Sequence, residues 1–443
     1  MTSPLPVSAI ADNPPVICPA SRPSRPLILY GTIVLLLFGP LAFGATEPWS
    51  QFLLEAGSAS LAAFWAIQQV RSGELRVRWN PLFAPMLAFG ALIVLQFAIR
   101  QTASTERTLS AALLFTSYVL LCFLVVQTLQ PVRQLGWIAR GVAIYGVAIA
   151  LFALVQGFSS SDKLYWLRKP YYGGWIYGPY VNHNHYAGLM EMLTPVPLVI
   201  AISRHCSTQK RCLAGIAASI MASSILFSGS RGGMIAFAAE IALLAILLLR
   251  RSVRSKPTGA MVAFVLLTLA LALWMGDSEL IQRLGSIHSQ ARSELSGGTR
   301  LTIDRDALRM FVQKPLLGWG LGSFPEVYPQ FRSFYTNLLV DHAHNDYLQL
   351  LVETGMAGFL AAAWFLIVTF RAAAKKLRHH EGGTIGLAAL AALLGITGIL
   401  VHSLVDFNLQ IPANAAIFYA LCTLAAMKPE FAAASHGSGA ALT

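Results

Sequence analysis

The chain of 443 residues is 56% hydrophobic and 12% charged, with a mean hydropathy of +0.60. Soluble domains carry about 25% charged residues, so half that share excludes an ordinary soluble protein and indicates a polytopic membrane protein. The formal net charge of +12 does not mark a nucleic-acid-binding protein, because the basic residues are scattered between apolar runs and form no patch.

The first 26 residues are rich in Pro and Ser, with Arg22 and Arg25 as their only basic residues, and read as a disordered cytoplasmic tail. No small-residue cleavage site follows cleanly, and the next apolar run is long enough to span, so no cleaved signal peptide is expected. Apolar runs that meet the requirement of about 20 residues per span lie near 27–46, 52–70, 81–99, 108–128, 137–157, 184–203, 212–229, 233–249, 258–275, 346–370, 383–402 and 411–427. The expected architecture is therefore all-α, with about twelve transmembrane helices. It divides into an N-terminal bundle over 27–275, a large loop over 276–345, C-terminal helices over 346–427 and a disordered tail over 428–443.

Loop charge sets the orientation. With the N-terminus inside, the inner connections carry Arg71, Arg76 and Arg78, then Arg133, then Arg204, Lys210 and Arg211. Arg250, Arg251, Arg254 and Lys256 follow, then Arg371, Lys375, Lys376 and Arg378. The loop over 276–345 then lies on the outer side of the membrane. Cys18, Cys122, Cys206, Cys212 and Cys422 fall outside the long outer segments, so neither a disulfide framework nor a CxxC metal site is implied.

Two outer segments stand out. The stretch 158–183 holds Tyr165, Trp166, Tyr171, Tyr172, Trp175, Tyr177 and Tyr180, and interfacial anchoring accounts for them as well as sugar stacking does. The loop 276–345 is too long for an empty connection. Gly298 or Thr299 can start a helix over roughly 300–313 with Leu301, Leu308, Phe311 and Val312 as its apolar side. Lys314-Pro315 ends it, before a turn-rich run at Gly318, Gly320 and Gly322.

The polar residues that could carry chemistry fall on this same outer side. They are Asn182-His183-Asn184-His185-Tyr186, Ser230-Arg231-Gly232-Gly233, the loop residues Arg300, Arg305 and Arg309, the pair His342 and His344, and His402 with Asp406. Ionisable groups at a membrane boundary are costly unless buried in protein or wetted by a cavity, so a functional site is the default reading. Arg231 stands beside glycines at a tight break between two apolar runs, where a guanidinium can grip a phosphate bidentately. Lipid-headgroup snorkelling is the plain alternative. Arg305 and Arg309 share a helix face, with Arg300 about 140° away from Arg305. Asp304 and Asp306 are two apart on a helix and point apart, which argues against a metal-binding DxD. A four-histidine zinc site from His183, His185, His342 and His344 lacks a supporting Cys or carboxylate.

The run His342-Ala343-His344-Asn345-Asp346-Tyr347-Leu348, with Glu353-Thr354-Gly355 after it, resembles the O-antigen ligase and O-antigen polymerase (Wzy-type) family of membrane glycosyltransferases. Gly298-Thr299-Arg300, Pro315-Leu316-Leu317-Gly318-Trp319-Gly320, Ser230-Arg231-Gly232-Gly233 and Asn182-His183-Asn184-His185 fit the same pattern, over roughly 180–410. The resemblance implies a GT-C-like membrane enzyme that uses neither a divalent metal nor another cofactor. Its donor would be an undecaprenyl-pyrophosphate-linked glycan, and its acceptor a lipid A core or a growing glycan. On this resemblance His344 is the catalytic histidine, and Arg231 and Arg300 handle the pyrophosphate. His183, His185, His342, Asn345, Arg305, Arg309 and Asp406 are candidate substrate contacts. Asp341 and Asp346 either orient His344 or cap the helix that follows. A lipid-linked glycan transporter or flippase is the alternative, and it predicts ionisable residues at mid-span depth.

Overall fold

The computed structural model describes residues 24–73, 75–129, 132–159, 163–170, 174–250, 259, 263–268, 270, 297–336, 340–380 and 383–427. The two tails, most of the span expected at 258–275 and residues 276–296 of the loop lie outside the described residues.

Among the described residues the regular structure is helical, apart from two isolated β-bridges. The N-terminal part comprises α1 (Ser24–Leu41), α2 (Pro48–Arg71), α3 (Phe83–Ala98), α4 (Thr105–Thr128) and α5 (Val132–Ser159). Next come α6 (His183–Leu193), α7 (Pro195–Ile202), α8 (Thr208–Ser228) and α9 (Arg231–Arg250). The loop helix is α10 (Gly297–Gln313), followed by α11 (Asp346–His379), α12 (Thr384–His402) and α13 (Pro412–Ala426). Helices are the natural outcome, because a chain this apolar must satisfy its backbone within each segment to cross lipid.

Among the described residues, seven helices are long and apolar enough to cross a membrane: α4, α5, α6 with α7, α8, α9, α11 and α12. Three further apolar helices, α1, α3 and α13, are shorter. Helix α2 has 24 residues but carries Gln51, Glu55, Gln68 and Gln69 and is not among the seven. The expected count of about twelve thus corresponds to seven helices that meet the length and hydropathy requirement.

Helix α12 is the centre of the bundle. It packs against α6, α7, α9, α11 and α13, and Ala389 to Ile399 contribute small and branched side chains to one large apolar core. Two basic residues of the expected inner connections are tied to helix ends at one end of this bundle. Arg211 Nε donates to the Ala201 carbonyl (3.1 Å) and Lys376 Nζ to that of Leu424 (2.7 Å), each at a helix C-terminus where positive charge is favoured. At the opposite end lie the starts of α6, α9, α11 and α13 and the ends of α8 and α12.

The loop has its own small core. Ile303, Ala307 and Met310 of α10, at i, i+4 and i+7, pack with Phe324, Val327, Tyr328, Val340, Ala343 and Val352. This corrects the apolar side expected from sequence: Leu301, Leu308 and Val312 are exposed and only Phe311 packs inward. Both stripes have helical spacing, and the one that is buried follows from what the loop folds against.

Helix α11 is interrupted at Gly355 (φ 62°, ψ −166°). The turn-rich run after Pro315 threads this break. The amides of Trp319 and Gly320 donate to the carbonyls of Val352 (3.0 Å) and Glu353 (2.9 Å). Beyond the break, the amides of Met356 and Ala357 donate to the carbonyls of Pro315 (2.8 Å) and Leu316 (3.1 Å). Gln96 Nε2 of α3 closes the joint by donating to Leu317 (2.6 Å) and Glu353 (2.9 Å) carbonyls. The backbone groups freed by the break are therefore satisfied inside protein, as lipid requires. Alanine at 355 would meet the Leu316 carbonyl and be forced into a backbone region open essentially to glycine alone, a strain of about 1–3 kcal/mol before any clash. Gly355→Ala is expected to lower the thermal stability of the detergent-purified protein or stop its accumulation. Wild-type stability in that variant would sink the threading account.

Candidate active site

The polar end of the bundle is organised around the turn between α12 and α13. Asp406 is 1% exposed, and its Oδ1 accepts the Phe407 amide at 2.8 Å. The same oxygen lies 3.8 Å from His344 Nδ1 and 3.8 Å from His185 Nε2, while Oδ2 lies 3.8 Å from Arg300 Nη2. These are charge contacts too long for hydrogen bonds, which leaves His344 Nδ1 and His185 Nε2 buried without a hydrogen-bond partner. Burial works against the Asp406 carboxylate, yet the two imidazoles hold it well below the usual carboxylate range. Phe407 fills the space between the histidines. His342 stacks on it at 4.3 Å, and His344 and His185 meet it edge-on at 4.8 and 4.7 Å.

His344 is delivered by the start of α11. Asn345 Oδ1 caps that helix by accepting the amides of Tyr347 and Leu348. His344 itself has φ 53°, an uncommon conformation for a non-glycine residue and one that clusters at functional sites. A line of hydrogen bonds holds it in place from behind. Glu353 accepts from the amides of Gly322 (2.9 Å) and Phe324 (3.3 Å) and from Gln349 Nε2 (3.1 Å). Gln349 Oε1 in turn accepts from the Ala343 amide at 3.1 Å, and the Gln349 amide group lies beside His342 Nδ1. Burial pushes the His342 imidazole below its ordinary value, against the pull of Asp341.

Arg300 projects from α10 with Nη1 donating to the Val405 carbonyl at 2.8 Å. Arg231 opens α9 and is exposed; its neighbour Gly232 packs on His402 and Val405. The short run 402–406 thus packs on Gly232 next to Arg231, holds Arg300 and presents Asp406 to His344. Asp304, one turn along α10 from Arg300, also bears on this cluster. Burial pushes its carboxyl up to about 6, opposed by His344 and Arg300.

The other sequence candidates are distributed differently. His183 Nδ1 lies 2.8 Å from the Ser228 carbonyl and the ring stacks on Trp175 at 4.2 Å, tying the start of α6 to the α8–α9 turn. The aromatic outer segment therefore serves partly as packing. Arg309 Nη1 pairs with Asp306 Oδ1 at 3.2 Å and lies about 180° around α10 from Arg300. Asp306 is buried and its Oδ2 accepts from the Ser333 amide and hydroxyl, each at 3.0 Å, so it organises the loop. Arg305 is exposed, on a face of α10 that Arg300 does not share. Asp346 Oδ2 accepts the Leu409 amide at 3.0 Å and Oδ1 the Gln410 side chain at 3.3 Å. That joins α11 to the 403–410 segment, and Asp406 is the carboxylate beside His344.

Sequence reasoning passed over Gln349, Glu191 and Glu240, weighed Asp304 only as half of a metal-binding pair, and named Glu353 only within a family motif. Glu191 and Glu240 are lone carboxylates inside apolar runs, which is a readable signal in a membrane chain. Gln349 and Glu353 share the buried face of α11 but gain meaning only from the loop folded over them.

Fold and site together define a polytopic helical membrane protein with a loop-capped polar cluster at one end of the bundle. Residues 216–363, about a third of the chain, match the family described as O-Antigen ligase, Wzy_C, which supports the resemblance read from the motifs in that stretch. This match supports a role in glycan transfer during O-antigen or polysaccharide assembly. Arg231, Arg300 and His344 lie inside the matched segment, while His185, His402 and Asp406 lie outside it. No curated protein matches the chain.

Proposed function

We propose that this protein transfers a glycan from an undecaprenyl-pyrophosphate carrier to an acceptor hydroxyl at the periplasmic face of the bacterial inner membrane, without a divalent metal. The acceptor is a lipid A core or another lipid-linked glycan. The carrying observation is the approach of His344 Nδ1 to the buried Asp406 carboxylate, whose other oxygen faces Arg300. A carboxylate on the Nδ1 side leaves Nε2 to take the acceptor proton, and such contacts tighten when substrate closes the site. A lipid diphosphate is a good leaving group that needs charge neutralisation more than a proton. Arg231 and Arg300, set near the same 402–406 segment, are suited to that task.

Deletion of the gene followed by analysis of surface glycans tests the reading. Lipid A core stripped of all glycan indicates a ligase, and single repeat units on the core a polymerase. Unchanged lipopolysaccharide with a missing secreted polymer indicates exopolysaccharide assembly. Wild-type levels of every glycan would exclude the proposal.

The transporter alternative gains one specific observation: Glu240 stands near the middle of α9 and is fully buried, as a mid-span ionisable group in a carrier would be. The enzyme reading stands ahead of it because His185, His344, Arg300 and Asp406 converge at one end of the bundle.

A further inference from the structure

Glu191 on α6 and His402 at the end of α12 form a second carboxylate–imidazole pair, which the transfer scheme leaves unused. His402 Nδ1 lies 2.8 Å from Glu191 Oε1, with both side chains fully buried. A carboxylate acceptor places a proton on Nδ1. A buried carboxylate also needs a countercharge beside it. Asp406 has Arg300 as a fixed cation beside it, whereas among the described residues His402 alone pairs with Glu191. With Glu191 ionised, the countercharge here falls to the ring, which as an imidazolium carries a second N–H on Nε2. That Nε2 is buried and has no hydrogen-bond partner.

It faces the first turn of α9. A Cβ on Gly232 would stand 2.6 Å from Nε2, so any larger residue at 232 would press on the ring. First-turn amides of a helix lack intrahelical acceptors, and Ser230 Oγ accepts the one from Gly233 at 3.1 Å. Arg231 leaves from this same turn, and Arg300 is anchored on Val405, whose side chain also borders Gly232. The start of α9, the Arg300 guanidinium and an unpartnered imidazole N–H all border the 402–406 run and make an anion cradle, with Arg231 leaving the same helix start.

We propose that His402 is a further catalytic residue, donating a hydrogen bond from Nε2 to the lipid diphosphate, with Glu191 as its positioning residue. This rests on the donor assignment made under Proposed function. During transfer the bond from the anomeric carbon to the diphosphate oxygen breaks and leaves its electron pair on that oxygen. The acceptor oxygen bonds to the carbon, and its proton passes to His344. His402 keeps its proton and stabilises the phosphate oxygens as charge builds on them. Asp406 and Asp346 are the other titratable groups near His402, and Glu240 of α9 lies near Glu191.

The test is binding of farnesyl diphosphate to full-length protein in nanodiscs, with farnesol reporting the prenyl chain alone. Hydrogen bonds to charged groups are worth about 10- to 100-fold in affinity, so His402→Gln is expected to weaken farnesyl diphosphate by that factor and leave farnesol unchanged. Glu191→Gln should weaken it comparably, Glu191→Asp should restore part of the loss, and the double variant should add little, because the pair acts as a unit. If His402→Gln does not assemble, Gly232→Ala covers Nε2 with both partners retained and is expected to give the same loss. Unchanged diphosphate affinity in the assembled His402 variant, or in Gly232→Ala where that variant does not assemble, overturns the proposal even though Arg231→Ala lowers it. Wild-type protein that does not prefer farnesyl diphosphate over farnesol overturns the donor assignment, and this proposal with it.

Discussion

Replacing His344 with alanine is expected to remove glycan transfer while the protein still reaches the membrane at its normal level. A positioned general base contributes about 10²–10⁴ in rate, and the acceptor hydroxyl is the poor reactant in this chemistry. His344 lies beside the pocket carboxylate with its side chain only 14% exposed, so truncation also removes its edge-on contact with Phe407. Its positive φ is a second structural cost, and asparagine both tolerates that conformation better than most residues and keeps more of the lost volume. His344→Asn is therefore the matched control, expected to fold and to be as inactive as the alanine variant. Arg231→Ala should fall less far, by about 10²–10³, the usual loss for one pre-organised charge stabiliser. The measurement is initial transfer rate at matched membrane abundance. Full transfer in either His344 variant would remove the base assignment.

Much of this architecture was legible in the chain because lipid imposes a simple rule on it. Long apolar runs separated by basic loops mark α4, α5, α8, α9 and α12 with edges within a few residues of those found, whereas α11 runs on to His379, past the expected end at 370. The run 183–202 reads as one span yet divides at Thr194-Pro195 into α6 and α7, because proline removes a backbone donor. That His185, Arg300, His344 and Asp406 gather at one end of the bundle was also readable, since alternating spans fix which loops share a side. The partners of these residues were not. That Asp406, rather than Asp341 or Asp346, stands beside His344 depends on how the turn after α12 folds back under α11. That Ile303 and Met310 are buried instead of Leu301 and Val312 depends on the loop lying on the start of α11. Glu191 and His402 are 211 residues apart, and no local pattern announces their contact.

Asp406→Asn is expected to give the second large loss, and it separates charge from shape. Asparagine can keep the hydrogen bond to the Phe407 amide and nearly the same volume. What disappears is the negative charge that faces two imidazoles and a guanidinium at 3.8 Å. When His344 takes the acceptor proton it becomes an imidazolium, and this carboxylate is the group placed to stabilise it. Loss of an orienting carboxylate behind a catalytic histidine can cost up to about 10⁴ in turnover. The loss should appear in kcat, with a smaller change in donor KM as Arg300 keeps its hold on the Val405 carbonyl. Asp406→Glu should recover part of the rate, which restored packing alone would not do. The sign of the acid response follows from the direction of the shift. Because the folded protein holds Asp406 below its ordinary value of 3.8, its stabilisation is complete above that value. It is lost as pH falls toward the lower folded value. The asparagine variant should therefore be less stable near neutrality and less sensitive to acid than the wild type. A variant with wild-type kcat, or one whose loss is not relieved at all by glutamate, would place Asp406 in packing and leave His344 without its orienting charge.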